Sequence, residues 1–276
     1  MDPILDPQEL KIWQIMPEEE KKRIFDTVYS ILEGVARKQL EHVNQWKQIT
    51  NDEKESAHIY VFGTVENFWE NVKLAQYLGR ENFSSFAHYP VRACMEMFLQ
   101  FSHFCHQSED KRNRIAIMEL LRPSVRFYFR EKREGGNGNK YKEFYNEHSK
   151  ELGLPVNIDE ADEEKIDHQL RSFPSARNLC DEYHAENPTA GKTLYFLYQY
   201  LCESVHGKIF SRFLRKQSVD FQEYRRGMMI LYIFAKDILV LLDDKFLEQR
   251  FRTDVKTAVK EADAFIKNSV NFQHDV

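Results

Sequence analysis

Residues 191–214 read GKTLYFLYQYLCESVHGKIFSRFL, the most aromatic stretch of the chain. Tyr198, Cys202 and His206 recur every four residues, so on a helix they line up as one stripe. Nothing in this stretch alternates with the period of a strand, and the same holds outward in both directions. The fold class predicted is all-α: a single helical domain over residues 1–276, of about nine helices.

Upstream, Pro17 followed by Glu18, Glu19 and Glu20 opens a helix: proline suits the first turn and carboxylates oppose the positive end of the dipole. Ile24, Val28, Ile31, Leu32 and Val35 carry it at helical spacing to about residue 49. Further helices are expected over 56–78, 90–106 and 112–132, the last with a kink at Pro123. GGNGN at 135–139 reads as an exposed loop, and it begins a possible surface excursion over 135–172. Within that excursion 141–152 is a short helix, and acidic 157–167 reads as a solvated surface segment. A helix from Ser172 ends before Pro188, and 228–242 and 246–270 complete the set.

Composition narrows the function classes. With 42% hydrophobic and 30% charged residues the chain is balanced for a soluble core rather than for disorder. A net charge of -5 gives no overall pull toward nucleic acid or anionic lipid, although 112–133 is locally rich in arginine. The four cysteines form no CxxC pair, and the acidic N-terminal stretch lacks a signal pattern; together these predict a cytoplasmic setting and no membrane association. The most apolar run, 228–242, is too short for a bilayer and contains Lys236 and Asp237, so it reads as a buried helix.

Four constellations carry possible chemistry. In the Tyr198, Cys202, His206 stripe, His206 suits a general base and Cys202 a thiol nucleophile, set against a purely structural polar seam. Arg92 and Glu96 lie one turn apart in the apolar run VRACMEMFLQF, which suggests that they face inward, as an ion pair or with Arg92 placed for a phosphate or carboxylate. Asp237 shares a face with Ile230, Ile233, Val240 and Leu241 and needs a partner, for which Arg92 and His206 are the expected candidates. His103 and His106, three apart beside Cys105, have spacing that can contribute to a metal site but also suit a solvated helix end. No metal site is assigned, the paired ExxH motifs of di-iron bundles are missing, and no cofactor is expected.

The pairing of Arg92-x-x-x-Glu96 with Leu194-Tyr195 and Tyr198-x-x-x-Cys202-x-x-x-His206-Gly207 resembles a poorly characterised family of bacterial helical proteins close to the HEPN-like abortive-infection proteins. The resemblance spans about residues 59–242, and this chain departs from it at Cys202, where the family usually has serine. It implies a helical fold and a role in phage defence or toxin–antitoxin biology, with no established reaction to carry over. HEPN ribonucleases are marked by Arg, four to six residues, then His; Arg177-Asn178 with His184 fits that pattern, as does Arg37 with His42. A chain this rich in arginine yields such matches by chance.

The function expected is a helical interaction or sensing module of a bacterial defence or stress system. It would be a homo-oligomer with Arg92, Glu96, Tyr198 and Asp237 as ligand-binding residues. The alternative is a HEPN-like metal-independent ribonuclease or nucleotide-modifying toxin. It would act on RNA or a nucleotide through His206, Cys202, His184 and Arg177.

Overall fold

A computed structural model describes residues 13, 15–46, 54–80, 87–186, 193–205 and 218–272. Among them lie ten α-helices, one 3-10 turn and no strand, so the chain is all-α as its periodicity indicates. The helices are α1 (Glu18–Trp46), α2 (Lys54–Arg80), α3 (His88–Cys105), α4 (Glu109–Arg133) and α5 (Asn139–Ser149), followed by a 3-10 turn (Ile158–Glu160). Then come α6 (Glu163–Gln169), α7 (Ala176–Glu186), α8 (Thr193–Val205), α9 (Ser218–Phe246) and α10 (Arg252–Phe272). No helix of the described residues is long and apolar enough to cross a membrane.

The centre of the bundle is α9, not the aromatic helix at 193–205. Met228, Leu231, Tyr232, Phe234, Ala235, Ile238, Leu239 and Leu242 are all buried, on more than one side of the helix. A helix apolar on several faces belongs inside a bundle. Tyr29 of α1 donates to the Met228 carbonyl at 2.5 Å, and Gln39, ten residues on, donates to that of Leu239 at 3.1 Å. The two helices therefore run parallel. Phe98 of α3 stacks on Phe234 at 4.3 Å, and Phe104 on Phe246 at 6.1 Å, so α3 is parallel to α9 as well. The helix α2 runs antiparallel between α1 and α3: Lys73 pairs with Glu33 at 2.8 Å, Gln76 with Asp26 at 2.9 Å, and Tyr60 packs on Phe104 at 4.7 Å. Asp243 ends α9 by accepting from the Phe251 amide at 2.8 Å, after which α10 returns along α1.

A second, smaller hydrophobic cluster gathers Leu121, Val125 and Tyr128 of α4 against Tyr145, Ile158, Ile166 and Leu170 of the 135–172 excursion. The entry into α5 is tight. Gly138 has φ +62°, and a Cβ there would sit 2.7 Å from the Tyr128 ring, so only glycine fits. Pro123 lies within α4, which remains one helix throughout.

The acidic segment 157–167 is not the solvated face expected of it. Ile158 and Ile166 are buried, and the carboxylates between them grip the arginine-rich half of α4. Asp167 accepts from Arg122 at 3.0 Å and from Arg126 at 2.8 Å, Glu163 pairs with Arg133, and Asp159 binds Tyr128, Lys142 and Lys132. The basic run is thus neutralised from within the chain rather than left as a face for polyanions. The Arg122 and Arg126 bonds hold the Asp167 carboxyl well below the usual carboxylate range.

A depressed folded-state pKa contributes stability above the unfolded value, about 3.9, and that stability fades as pH falls through the folded value. Asp167→Asn is accordingly expected to cost about 1 kcal/mol at neutral pH, a figure reduced for solvent screening. In urea unfolding followed by circular dichroism, the gap from the wild type closes below about pH 4.

Candidate functional site

One stripe of α3 carries the polar groups: Arg92, Glu96, His103 and His106, spaced so that all four face the α7–α8 side, with apolar Leu99 between them. The opposite face of α3 buries Val91, Cys94, Met95, Phe98 and Phe101. The stripe is therefore covered by short helices rather than by the central bundle, and it stays partly open to solvent.

At its upper end, Arg92 donates to one oxygen of Glu96 through Nε at 3.1 Å and Nη2 at 2.9 Å. Tyr198 of α8 donates its hydroxyl to the same oxygen at 2.7 Å. The Arg92 guanidinium also lies over the Tyr198 ring, 5.7 Å from its centroid. The Cys202 thiol, one turn beyond, is hydrogen-bonded to Tyr198. Burial, with the Glu96 carboxylate and Cys202 adding to it, pushes the Tyr198 phenol up, so it remains a donor at neutral pH. Arg92 and Glu96 side chains are 19% and 36% exposed, so the pair borders solvent rather than being sealed.

Tyr198 continues into a ladder of flat groups. Tyr195 stacks on it at 6.4 Å with 15° between the planes, and the Arg177 guanidinium of α7 lies 5.9 Å from the Tyr195 centroid. Four planar side chains from three helices thus run Arg177, Tyr195, Tyr198, Arg92. His184 stands two turns along α7 from Arg177, and its Nδ1 is buried with no hydrogen-bond partner. The other Arg/His match separates: Arg37 bonds Glu33 at 2.9 Å, while His42 packs on Phe251.

Asp237 does not join Arg92, contrary to expectation. Its partner is Tyr183 of α7, which donates to it at 2.6 Å and is wedged edge-on between Phe98 and Phe234. The ionisable groups expected at one point therefore form two bonded clusters, one around Glu96 and one around Asp237. His206 and Gly207 lie outside the described residues.

His103 is the residue that sequence reasoning undervalued. Its Nδ1 meets Glu182 of α7 at 2.7 Å, and its side chain is only 14% exposed. Cys105, its expected companion, points into the core instead, where burial raises the thiol pKa. The signal available was an apolar helix whose histidines fall on the Arg92–Glu96 stripe. Their acceptor, 79 residues away, carried none. Among the described residues no three His, Cys, Asp or Glu side chains converge as a metal cluster.

Burial pushes the Asp237 carboxyl up to about 6, with Tyr183 and Lys236 opposing. A raised folded value means stability declines as pH rises from about 4 to 6 and is level above. Asp237→Asn, which keeps an acceptor for Tyr183, should gain on the order of 2 kcal/mol at neutral pH and nothing below about pH 4, as read by denaturant midpoints across pH. No known protein-family model, curated protein or solved structure matches this chain.

Proposed function

We propose that the protein is a helical sensing module whose Arg92–Glu96–Tyr198 seam takes a small oxyanion, a phosphate or carboxylate. One observation carries this reading. Two donors from separate helices, Arg92 and Tyr198, meet on a single carboxylate oxygen of Glu96, at 2.9 and 2.7 Å, at the edge of solvent. Glu96 occupies the guanidinium as an external oxyanion would, through charge-assisted bonds. An anion that displaces it releases the Tyr198 hydroxyl as well, so occupancy is transmitted to α8. The family resemblance supports a setting in bacterial defence or stress, and a cytoplasmic homo-oligomer is the form in which such a module would act.

Titration of inorganic phosphate against the melting temperature tests this. Binding to the folded state alone raises stability by about 2.7 kcal/mol at a hundredfold excess over Kd. The rise is expected to vanish in Arg92→Ala and to weaken in Arg92→Lys, which keeps charge but loses the planar fork. A melting temperature indifferent to phosphate and carboxylates rejects the reading.

A second reading, a HEPN-like metal-independent ribonuclease or nucleotide-modifying toxin, is favoured by the ladder that joins Arg177 to the seam through Tyr195 and Tyr198. Stacked aromatic rings and guanidinium planes suit unpaired bases. It predicts cleavage of single-stranded RNA in the presence of EDTA, lost in His184→Ala and Arg177→Ala. Intact RNA after incubation with the wild type rejects it.

A further inference from the structure

Below the seam, the C-terminal end of α3 and α7 enclose a groove of about 320 Å³. His103, His106 and Glu182 line it, with Ser102, Gln107 and Tyr183. Neither the anion seam nor the Arg177/His184 reading makes use of this groove.

Both imidazoles are held in a defined state. The Nδ1 of His106 is 2.7 Å from the Ser102 carbonyl, and a carbonyl only accepts, so Nδ1–H donates. The Nδ1 of His103 is 2.7 Å from the Glu182 carboxylate, which likewise only accepts when ionised. In each neutral ring the lone pair is therefore on Nε2. A histidine that donates Nδ1–H to a carboxylate or backbone carbonyl is oriented, and made more basic, for ligation through Nε2. Two such rings, three residues apart on one helix and lining one groove, form a pair with an outer shell already in place.

The geometry points to a divalent transition-metal site at His103 and His106, with Glu182 and the Ser102 carbonyl as outer-shell acceptors. Imidazole nitrogens select zinc, nickel or copper over magnesium or calcium, which take oxygen ligands. No third His, Cys, Asp or Glu joins the pair among the described residues, so the remaining positions fall to solvent or to a ligand in the groove. Such a site is open: it binds an exchangeable ion and leaves room for a metal-bound water. Tyr183, at the wall and bonded to Asp237, couples the groove to the buried carboxylate of α9.

Calorimetric titration of zinc ion into the metal-stripped full chain is the test, repeated with His103→Gln, His106→Gln, Glu182→Gln and His42→Ala. One saturable site is expected, lost in both groove histidine variants and unchanged in His42→Ala. Glu182→Gln should weaken it about 10- to 100-fold while the first ligands remain. Affinity should fall in acid, because protons compete for the imidazole nitrogens. Glutamine preserves polarity at each histidine, and helical circular dichroism checks that each variant is folded. Absence of saturable binding overturns the site, and so does binding that survives either groove histidine substitution. Indifference to Glu182→Gln overturns the outer-shell role and with it the proposal.

Discussion

Burying α9 on several sides imposes the constraint from which the rest follows. A central helix with Tyr232, Lys236, Asp237 and Asp243 among its apolar residues must have each of them met by a surrounding element, since an unmatched buried charge costs several kcal/mol. Asp263 of α10 takes both Tyr232, at 2.8 Å, and Lys236, at 3.1 Å. The amide of Phe251 meets Asp243, and Tyr183 meets Asp237. The partners of α9 thus lie on α7, on α10 and in the turn between α9 and α10. That distribution ties short α7 to the core at a fixed height and brings Glu182 and Arg177 over α3.

The seam shows how a weak local pair becomes a defined one. Arg before Glu at four-residue spacing is the poorer order for an exposed helical pair, worth a few tenths of a kcal/mol. Here Tyr198 adds a third hydrogen bond to the same oxygen and a ring beneath the guanidinium. Partial burial strengthens each contact relative to water. The pair consequently owes its geometry to α8 as much as to its own helix, and α8 in turn is anchored by buried Leu194 and Leu201 while Phe196 faces outward.

What was legible in the chain divides along sequence distance. Helices with apolar residues at three- and four-residue spacing were readable because periodicity is local, and so was the stripe that puts Arg92 above Glu96. Caps such as Ser175, which accepts from the Asn178 amide at 3.3 Å, follow the same local logic. Pairings between distant segments were not readable. Acidic 157–167 looked like a solvated face because its arginine partners, at 122, 126 and 133, belong to another helix. Asp237 had Arg92 as its nominal partner because both are charged and lie in apolar runs, yet a tyrosine hydroxyl satisfies a buried carboxylate without bringing in a second charge to desolvate. The aromatic stretch at 193–205 drew attention by composition, but its rings lie along a surface ladder while the centre belongs to less conspicuous α9.

The helix α7 is where these strands of argument meet. In eleven residues it supplies Arg177 to the ladder, Glu182 to His103 and Tyr183 to Asp237, while Leu179, Cys180 and Tyr183 anchor it to the core. Its position is therefore set by a small apolar contact and by two polar ones whose strength depends on ionisation. A carboxylate with a pKa near 6 holds the Tyr183 hydroxyl more strongly when ionised, since hydrogen bonds to charged groups are the stronger kind. The His103–Glu182 contact is likewise strongest when the imidazole is charged, so acid strengthens one tether of α7 and weakens the other. A helix held by opposed titrations keeps its place across the neutral range without being rigidly fixed. That suits an element that lies over both the anion seam and the paired-histidine groove.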